Sequence, residues 1–281
     1  MRGSIITTIR IRTSGRDGMG QRGALRLSLE PHGGKTVLAG RYWKAPFGSV
    51  RANYPDGSGM PEVQITNPSG GILGGDRLEM DVSLAPGSAA TVLTQAANKV
   101  YKGTEARQNA TFRLGEESFL EYLPYHLIPF ARSSYWQVTE FHLARGATLL
   151  AWDAISAGRV TREERFAFDG LSSKLQILNQ GLPEVVDGLA LPAGGEPFGG
   201  YSYIAAAYIL APLNLEPLAE ELHVTLGGTP RALASASAPE PHLCAVRILA
   251  HDATALYRPL NACRAAARAY LGLPPVAREV W

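Results

Sequence analysis

Alternation of apolar and polar side chains runs through the first two thirds of the chain. In RLEMDVSL, from Arg77, it sets Leu78, Met80, Val82 and Leu84 on one side and Arg77, Glu79, Asp81 and Ser83 on the other. That is the pattern of a strand with one buried face. Ala85-Pro86-Gly87 then turns the chain. Comparable units recur as LAPGSAATVLT (84–94), LGEESFLEYLP (114–124) and LARGATLLAWD (143–153), each a strand-ending leucine, a short turn and a second apolar strand. The leading leucines, Leu84, Leu114 and Leu143, are 30 and 29 residues apart. This spacing predicts one supersecondary unit used three times and stacked on itself, although a meander of unrelated hairpins would give a similar rhythm.

Downstream, KLQILNQGLPEVVDGLAL (174–191) reads as strand, turn and strand. YIAAAYILAPL (203–213) reads as a buried strand, because it is about half of the ~20 residues that a membrane-spanning helix requires. Helical signals come late. One helix is expected over Glu216 to Leu222, followed by the strand HLCAVRILA (242–250). Asp252 can cap a short helix in DATALYR. After Pro259, the residues Leu260, Cys263, Ala267, Tyr270 and Leu271 recur near the helical period until Gly272, Pro274 and Pro275 stop them. The expected fold is mainly β with a few helices: stacked antiparallel strands and hairpins in a solenoid- or sandwich-like arrangement, with helices near the C-terminus. Residues 1–20, with Arg2, Arg10, Arg12 and Arg16 among Gly, Ser and Thr, read as a flexible tail, and residues 21–281 as a single β domain. PAGGEPFGG (192–200) is the best candidate for a mobile loop.

Composition narrows the function classes. With 27 basic against 25 acidic residues the formal charge is +2, without the surplus that binding to a phosphate backbone leaves, so nucleic acid is not an expected partner. The first 20 residues lack the apolar run of a signal peptide, and no membrane span is expected. Two cysteines, Cys244 and Cys263, in 281 residues point to reduced thiols and a cytoplasmic protein.

Local motifs for catalysis are lacking. Gly70 and Gly75 in GGILGGD have the gap of a phosphate-binding loop, but Asp76 stands where that loop needs lysine, and a strand follows where a helix should. The six histidines form no HxH or HExxH pair, the cysteines have no CxxC spacing, and no GxSxG elbow occurs. No enzyme activity is expected. More informative are carboxylates in apolar strand context: Glu121 in FLEYLP, Asp153 in LLAWDAI, and Asp76 at the head of a strand. Buried acids need partners. Arg77, Arg132, Arg159 and Arg165 are candidates for ion pairs. The alternative is a water-filled passage whose acids bind a divalent ion weakly and release it.

Three segments together carry a resemblance. NPSGGILGGDRLEMDVSLAPGSAATVLTQAANKVYKG (67–103), FLEYLPYHLIPFARSSYWQVTEFHLARGATLLAWDAISAGRVTREERF (119–166) and the ending LGLPPVAREVW resemble the signature regions of the UreD/UreH urease accessory proteins. Tyr122 stands where the family often has tryptophan. The resemblance implies a mainly β protein without turnover of its own that binds the accessory protein UreF and, through it, the GTPase UreG. It also implies docking on apo-urease and help in conveying nickel to the urease active site. No tightly bound cofactor is implied, only nickel in transit. Nickel(II) is held hard by imidazole and thiolate, so separated carboxylates and water make a shallower path. Asp76 is the first candidate for that path, with Glu121, Asp153 and Glu164 after it. A reading from a different class is a carbohydrate-binding or β-solenoid enzyme-like protein, suggested by the repeat and by Tyr122, Tyr125, Tyr135 and Trp136. It requires an exposed aromatic ladder along the strands.

Overall fold

The computed structural model describes residues 20–276 and 278–280, so residues 1–19 of the expected tail lie outside the described residues, as does the terminal Trp281. In chain order the elements are β1 (Arg22–His32), β2 (Lys35–Lys44), β3 (Ala52–Asn53), β4 (Glu62–Ile65), β5 (Arg77–Leu84), β6 (Ala89–Thr94), β7 (Asn98–Val100), β8 (Ala106–Leu114), β9 (Phe119–Leu123), β10 (Leu127–Pro129), β11 (Ser134–Leu143), β12 (Thr148–Ser156), β13 (Gly170–Asn179), β14 (Leu182–Pro192), β15 (Tyr203–Leu210), α1 (Glu216–Gly227), β16 (Ala232–Glu240), β17 (Leu243–Ala250) and α2 (Ala253–Tyr270).

The leucine rhythm corresponds to three stacked coils. The turns after Leu84, Leu114 and Leu143 each carry the chain from a strand of one sheet into a strand of the other. Leu29, Leu84, Leu114 and Leu143 stand side by side in register and are all buried. The turns stack as well: a side chain at Gly115 would meet the backbone nitrogen of Pro86 at 2.6 Å. The first sheet has seven strands in the order β14-β13-β11-β8-β5-β1-β2, and the second runs β16-β17-β15-β12-β9-β6-β4-β3, with β7 and β10 attached beside it. The stacking direction differs from the hairpin expectation. β1, β5, β8, β11 and β13 run parallel, as do β4, β6, β9 and β12, because each coil re-enters its sheet in the same sense. Antiparallel pairs lie towards the edges, in β1–β2, β13–β14, β12–β15, β15–β17, β16–β17 and β3–β4.

Two apolar layers result. One fills the space between the sheets, with Leu25, Val82, Phe112, Phe141 and Ile177 among its members. The other lies between the second sheet and the helices, where Leu150, Trp152, Leu218, Leu222, Leu256 and Leu260 meet. β12 supplies both, sending Leu149, Ala151 and Ile155 inward and Leu150, Trp152 and Ala154 to the helices. The two helical pieces expected around Pro259 form one helix, α2. Proline removes one helical hydrogen bond, and burial of Leu256, Tyr257, Leu260 and Cys263 on both sides of it keeps the turn in place. The segment expected to be a mobile loop is mostly exposed, with Phe198 buried edge-on to Phe166 at 5.0 Å and Glu196 paired with Arg165 at 3.3 Å. No helix among the described residues is long and apolar enough to cross a membrane.

Candidate functional site

A row of polar residues interrupts the apolar layer between the sheets. Gln108 on β8, Gln137 on β11 and Ser173 on β13 are register partners, and all three are buried. Asp153 faces them from β12 in the opposite sheet. Its Oδ2 accepts hydrogen bonds from Gln137 Nε2 at 3.1 Å and Ser173 Oγ at 2.6 Å, and Gln137 Nε2 also donates to Ser173 Oγ at 2.8 Å. Burial raises the Asp153 carboxyl above the ordinary range, and the bonds from Ser173, the Ala154 backbone and Gln137 offset this only in part. Two tyrosines feel its charge. Burial, reinforced by the Asp153 charge, pushes the hydroxyls of Tyr122 and Tyr135 upward, so both stay protonated. The buried Tyr135 hydroxyl finds no hydrogen-bond partner among the described residues.

A cavity of about 210 Å³ opens beside this row. Its outer lip is formed by Asn67, Gly70, Gln95 and Lys99, and its walls include Gln108 and Tyr122. Solvent-facing space thus reaches the strand next to the one that carries Gln137. The arrangement offers oxygen donors from one carboxylate, a hydroxyl and amides, which suits weak, hard-ligand binding of a divalent ion rather than tight capture.

The other three acids singled out from sequence lie elsewhere. Asp76 is fully buried in the GGILGGD turn, where Oδ1 accepts from the Gln21 N–H at 2.8 Å and Oδ2 from the Leu73 N–H at 2.9 Å. Its bonds join the start of β1 to the turn before β5. Glu121 projects from the opposite face of the second sheet, toward α2. It accepts from Arg264 Nε at 3.1 Å and Nη2 at 2.6 Å, from Arg268 Nη1 at 3.0 Å and from Thr91 Oγ1 at 2.7 Å. Burial is the largest single influence on this carboxyl and opposes its charge, but the two guanidiniums and Thr91 together outweigh burial and hold it below the ordinary range. Glu164 accepts from the Ala131 N–H at 2.6 Å and pairs with Arg159, whose hydrogen bond lowers its pKa.

Of the arginines considered as partners, none pairs with the carboxylate of Asp76, Glu121 or Asp153, and Arg159 pairs with Glu164 instead. Arg264 and Arg268 were not legible as partners, since they lie 143 and 147 positions from Glu121. The polar row did leave a signal: Gln108 and Gln137 each stand six places before a ladder leucine, at the phase held by Leu78 before Leu84. Among the described residues no three His, Cys, Asp or Glu side chains gather as a metal cluster. Cys244 and Cys263 are free and buried, and burial raises both thiols. Among the described residues the four aromatics named for a carbohydrate-binding reading form no exposed ladder: Tyr122 and Tyr135 are buried between the sheets, Tyr125 packs on Tyr257 at 5.7 Å, and Arg107 covers Trp136 at 5.4 Å. Large exposed apolar side chains among the described residues include Tyr42 and Trp43 on β2, Leu182 and Val186 on β14, and Val224 and Leu233 on α1 and β16.

Comparison with known proteins agrees with the motif resemblance. The family model described as UreD urease accessory protein matches residues 21–281. A urease accessory protein UreD of Pseudomonas putida (strain W619) is 35% identical over 266 residues, covering 92% of this chain and 92% of the relative. The one from Alkalilimnicola ehrlichii is 29% identical, covering 93% of this chain and 92% of its own. That of Cenarchaeum symbiosum is 32% identical over 69% of this chain and 72% of its own.

Proposed function

Because the chain belongs to the UreD urease accessory protein family, we propose that it acts without turnover of its own as a cytoplasmic scaffold in urease maturation, binding UreF and through it the GTPase UreG, docking on apo-urease and passing nickel toward the urease active site. One observation carries the nickel part of this reading: Asp153 stands between the sheets one strand beyond the wall of an open cavity, and its charge reaches the unpartnered Tyr135 hydroxyl. A carboxyl whose charged form is disfavoured by burial gains when a cation comes close, yet a single carboxylate with neutral neighbours holds that cation weakly enough to let it go. On this reading Asp153 and the polar row form the path, whereas Asp76, Glu121 and Glu164 hold its walls. The apolar side chains exposed at the β14 and α1–β16 edges support a chain that is covered in an assembly.

The test is nickel content per urease active site, with urease matured in cells at limiting nickel. Asp153→Asn preserves shape and the bonds to Gln137 and Ser173 while removing the charge. Nickel content is expected to fall several-fold while the complex with UreF still assembles. Full metallation with the Asn variant would remove Asp153 from the path. Full activation with Asp76→Ala and unchanged assembly would likewise leave Asp76 no part in nickel transfer.

A further inference from the structure

Charge is unevenly distributed between the two ends of the sandwich. At the end where the strands of the first sheet begin, Arg22, Arg77 and Arg107 stand in one register row on adjacent strands, all exposed. Adjacent strands are about 4.8 Å apart, so like charges in such a row repel unless something opposes them. Exposed Lys99, Lys102 and Arg132 on the neighbouring loops add to the same end. Opposing them locally are Glu105, half-buried and tied to Arg107 at 2.5 Å, and the exposed Asp169. At the other end the turns expose Glu30, Glu116 and Glu117 together with Lys35 and Arg145, and Arg145 pairs with Glu116 at 3.3 Å, so that end has no basic surplus.

Within the basic end sits an apolar side chain on a fixed support. Leu73 is 41% exposed, although its loop is pinned on every side. Its N–H binds Asp76 Oδ2 at 2.9 Å, its carbonyl accepts from the Asp76 N–H at 3.1 Å, and the Gly75 N–H donates to the Thr104 carbonyl at 2.9 Å. Gly74 lies directly on Gly103, where an added Cβ would be 2.6 Å from that residue's Cα. A rigidly held apolar residue inside a charged rim matches the anatomy of a protein interface, with a desolvated centre and a polar border that steers approach.

We propose that Leu73, with Arg22, Arg77, Lys102, Arg107 and Arg132 around it, docks a protein partner that presents acidic side chains around an apolar recess. The apolar centre, and a Trp136 ring already covered by Arg107, favour a protein over a nucleic acid. The cavity lip carries Lys99 at this same end, so an acidic partner seated there would also neutralise a charge that repels a free divalent ion. The inference deepens the assembly reading and rests on it for the choice of probes.

The experiment measures association and dissociation rates of the full chain with apo-urease, UreF and UreG as separate probes, and with anionic phosphatidylserine vesicles and a single-stranded RNA as comparison probes, at low and high salt. The variants are Lys102→Glu with Arg132→Glu, Leu73→Ser alone, and Lys35→Glu at the opposite end as control, each with its melting temperature checked. The double variant is expected to slow association with one of the three probes by roughly tenfold at low salt, with a smaller effect at high salt. Leu73→Ser is expected to speed dissociation from that same probe, and Lys35→Glu to change neither rate. Wild-type rates for the double variant and for Leu73→Ser on every probe that the wild type binds would overturn this inference alone. An equal loss in the control, or a loss seen only for anionic vesicles or RNA, would overturn it as well. If the wild-type chain binds none of the three, the assembly reading fails, and this inference with it.

Discussion

Replacing Glu121 with glutamine would leave Arg264 and Arg268, whose side chains are 6% and 4% exposed, facing each other across a neutral group. In the native chain this carboxylate receives three guanidinium hydrogen bonds and one from Thr91, and these fasten α2 to the second sheet. Removing one partner of a buried ionic network costs about 3–5 kcal/mol, mostly through the charge left uncompensated. For a chain of this size that corresponds to a fall in melting temperature of roughly 10 °C. The assay is urea denaturation of wild type and Glu121→Gln, compared with the triple variant Glu121→Leu, Arg264→Met, Arg268→Met. An apolar substitute for the whole network should recover much of the loss, though not all, because Arg264 and Arg268 also donate to the carbonyls of Arg278 and Pro274. The Glu121 carboxyl is held below the ordinary range near 4.5. Its contribution is therefore complete above that value and disappears as pH falls through the lower folded-state value, so the gap between wild type and Glu121→Gln should be constant above about pH 5 and close below it. A loss under about 1 kcal/mol at pH 7 would refute the latch. Nickel insertion that fails in Glu121→Gln but returns with the stability of the triple variant would mark Glu121 as a wall of the path, not a station on it.

Other consequences can be checked on the same preparations. His126 is buried against Tyr257, with Nδ1 2.9 Å from that hydroxyl, and burial lowers its pKa to about 4. The unfolded chain takes up this proton at higher pH than the folded one, so stability should rise with pH between about 4 and 6.5, by at most about 3 kcal/mol, and His126→Phe should flatten that slope in urea titrations. Asp76→Ala leaves the N–H groups of Gln21 and Leu73 without their acceptor, which should cost about 2–4 kcal/mol by denaturation and speed amide exchange at Leu73. Gly74→Ala forces a Cβ against the Gly103 backbone and should lower stability by about 2 kcal/mol, whereas Gly87→Ala, with open space around it, should act only through its backbone angle. Unchanged melting of Gly74→Ala would mean that the loop carrying Leu73 is not held as tightly as its contacts imply.

The sequence by itself determined the central strands, the faces they bury and the interval at which their turns recur, but it left β1 to β4 and β16 unread. Period-two alternation leaves one way to bury Leu78, Met80, Val82 and Leu84, and a fixed interval between Leu84, Leu114 and Leu143 brings equivalent turns into register. It also carried the family, through contiguous motifs. Tertiary structure decided what depends on long-range approach: that the central strands run parallel, that the helical pieces around Pro259 join, and which groups meet the buried acids. Asp153 and Glu121 both read from sequence as acids on apolar strands, yet one faces a buried polar row between the sheets and the other is locked to two arginines from a distant helix. Strand parity sets which side of a sheet each residue takes, but what waits on that side is supplied by segments far away in the chain, and only their packing shows which acid meets neutral hydrogen-bond donors and which is paired with two guanidiniums.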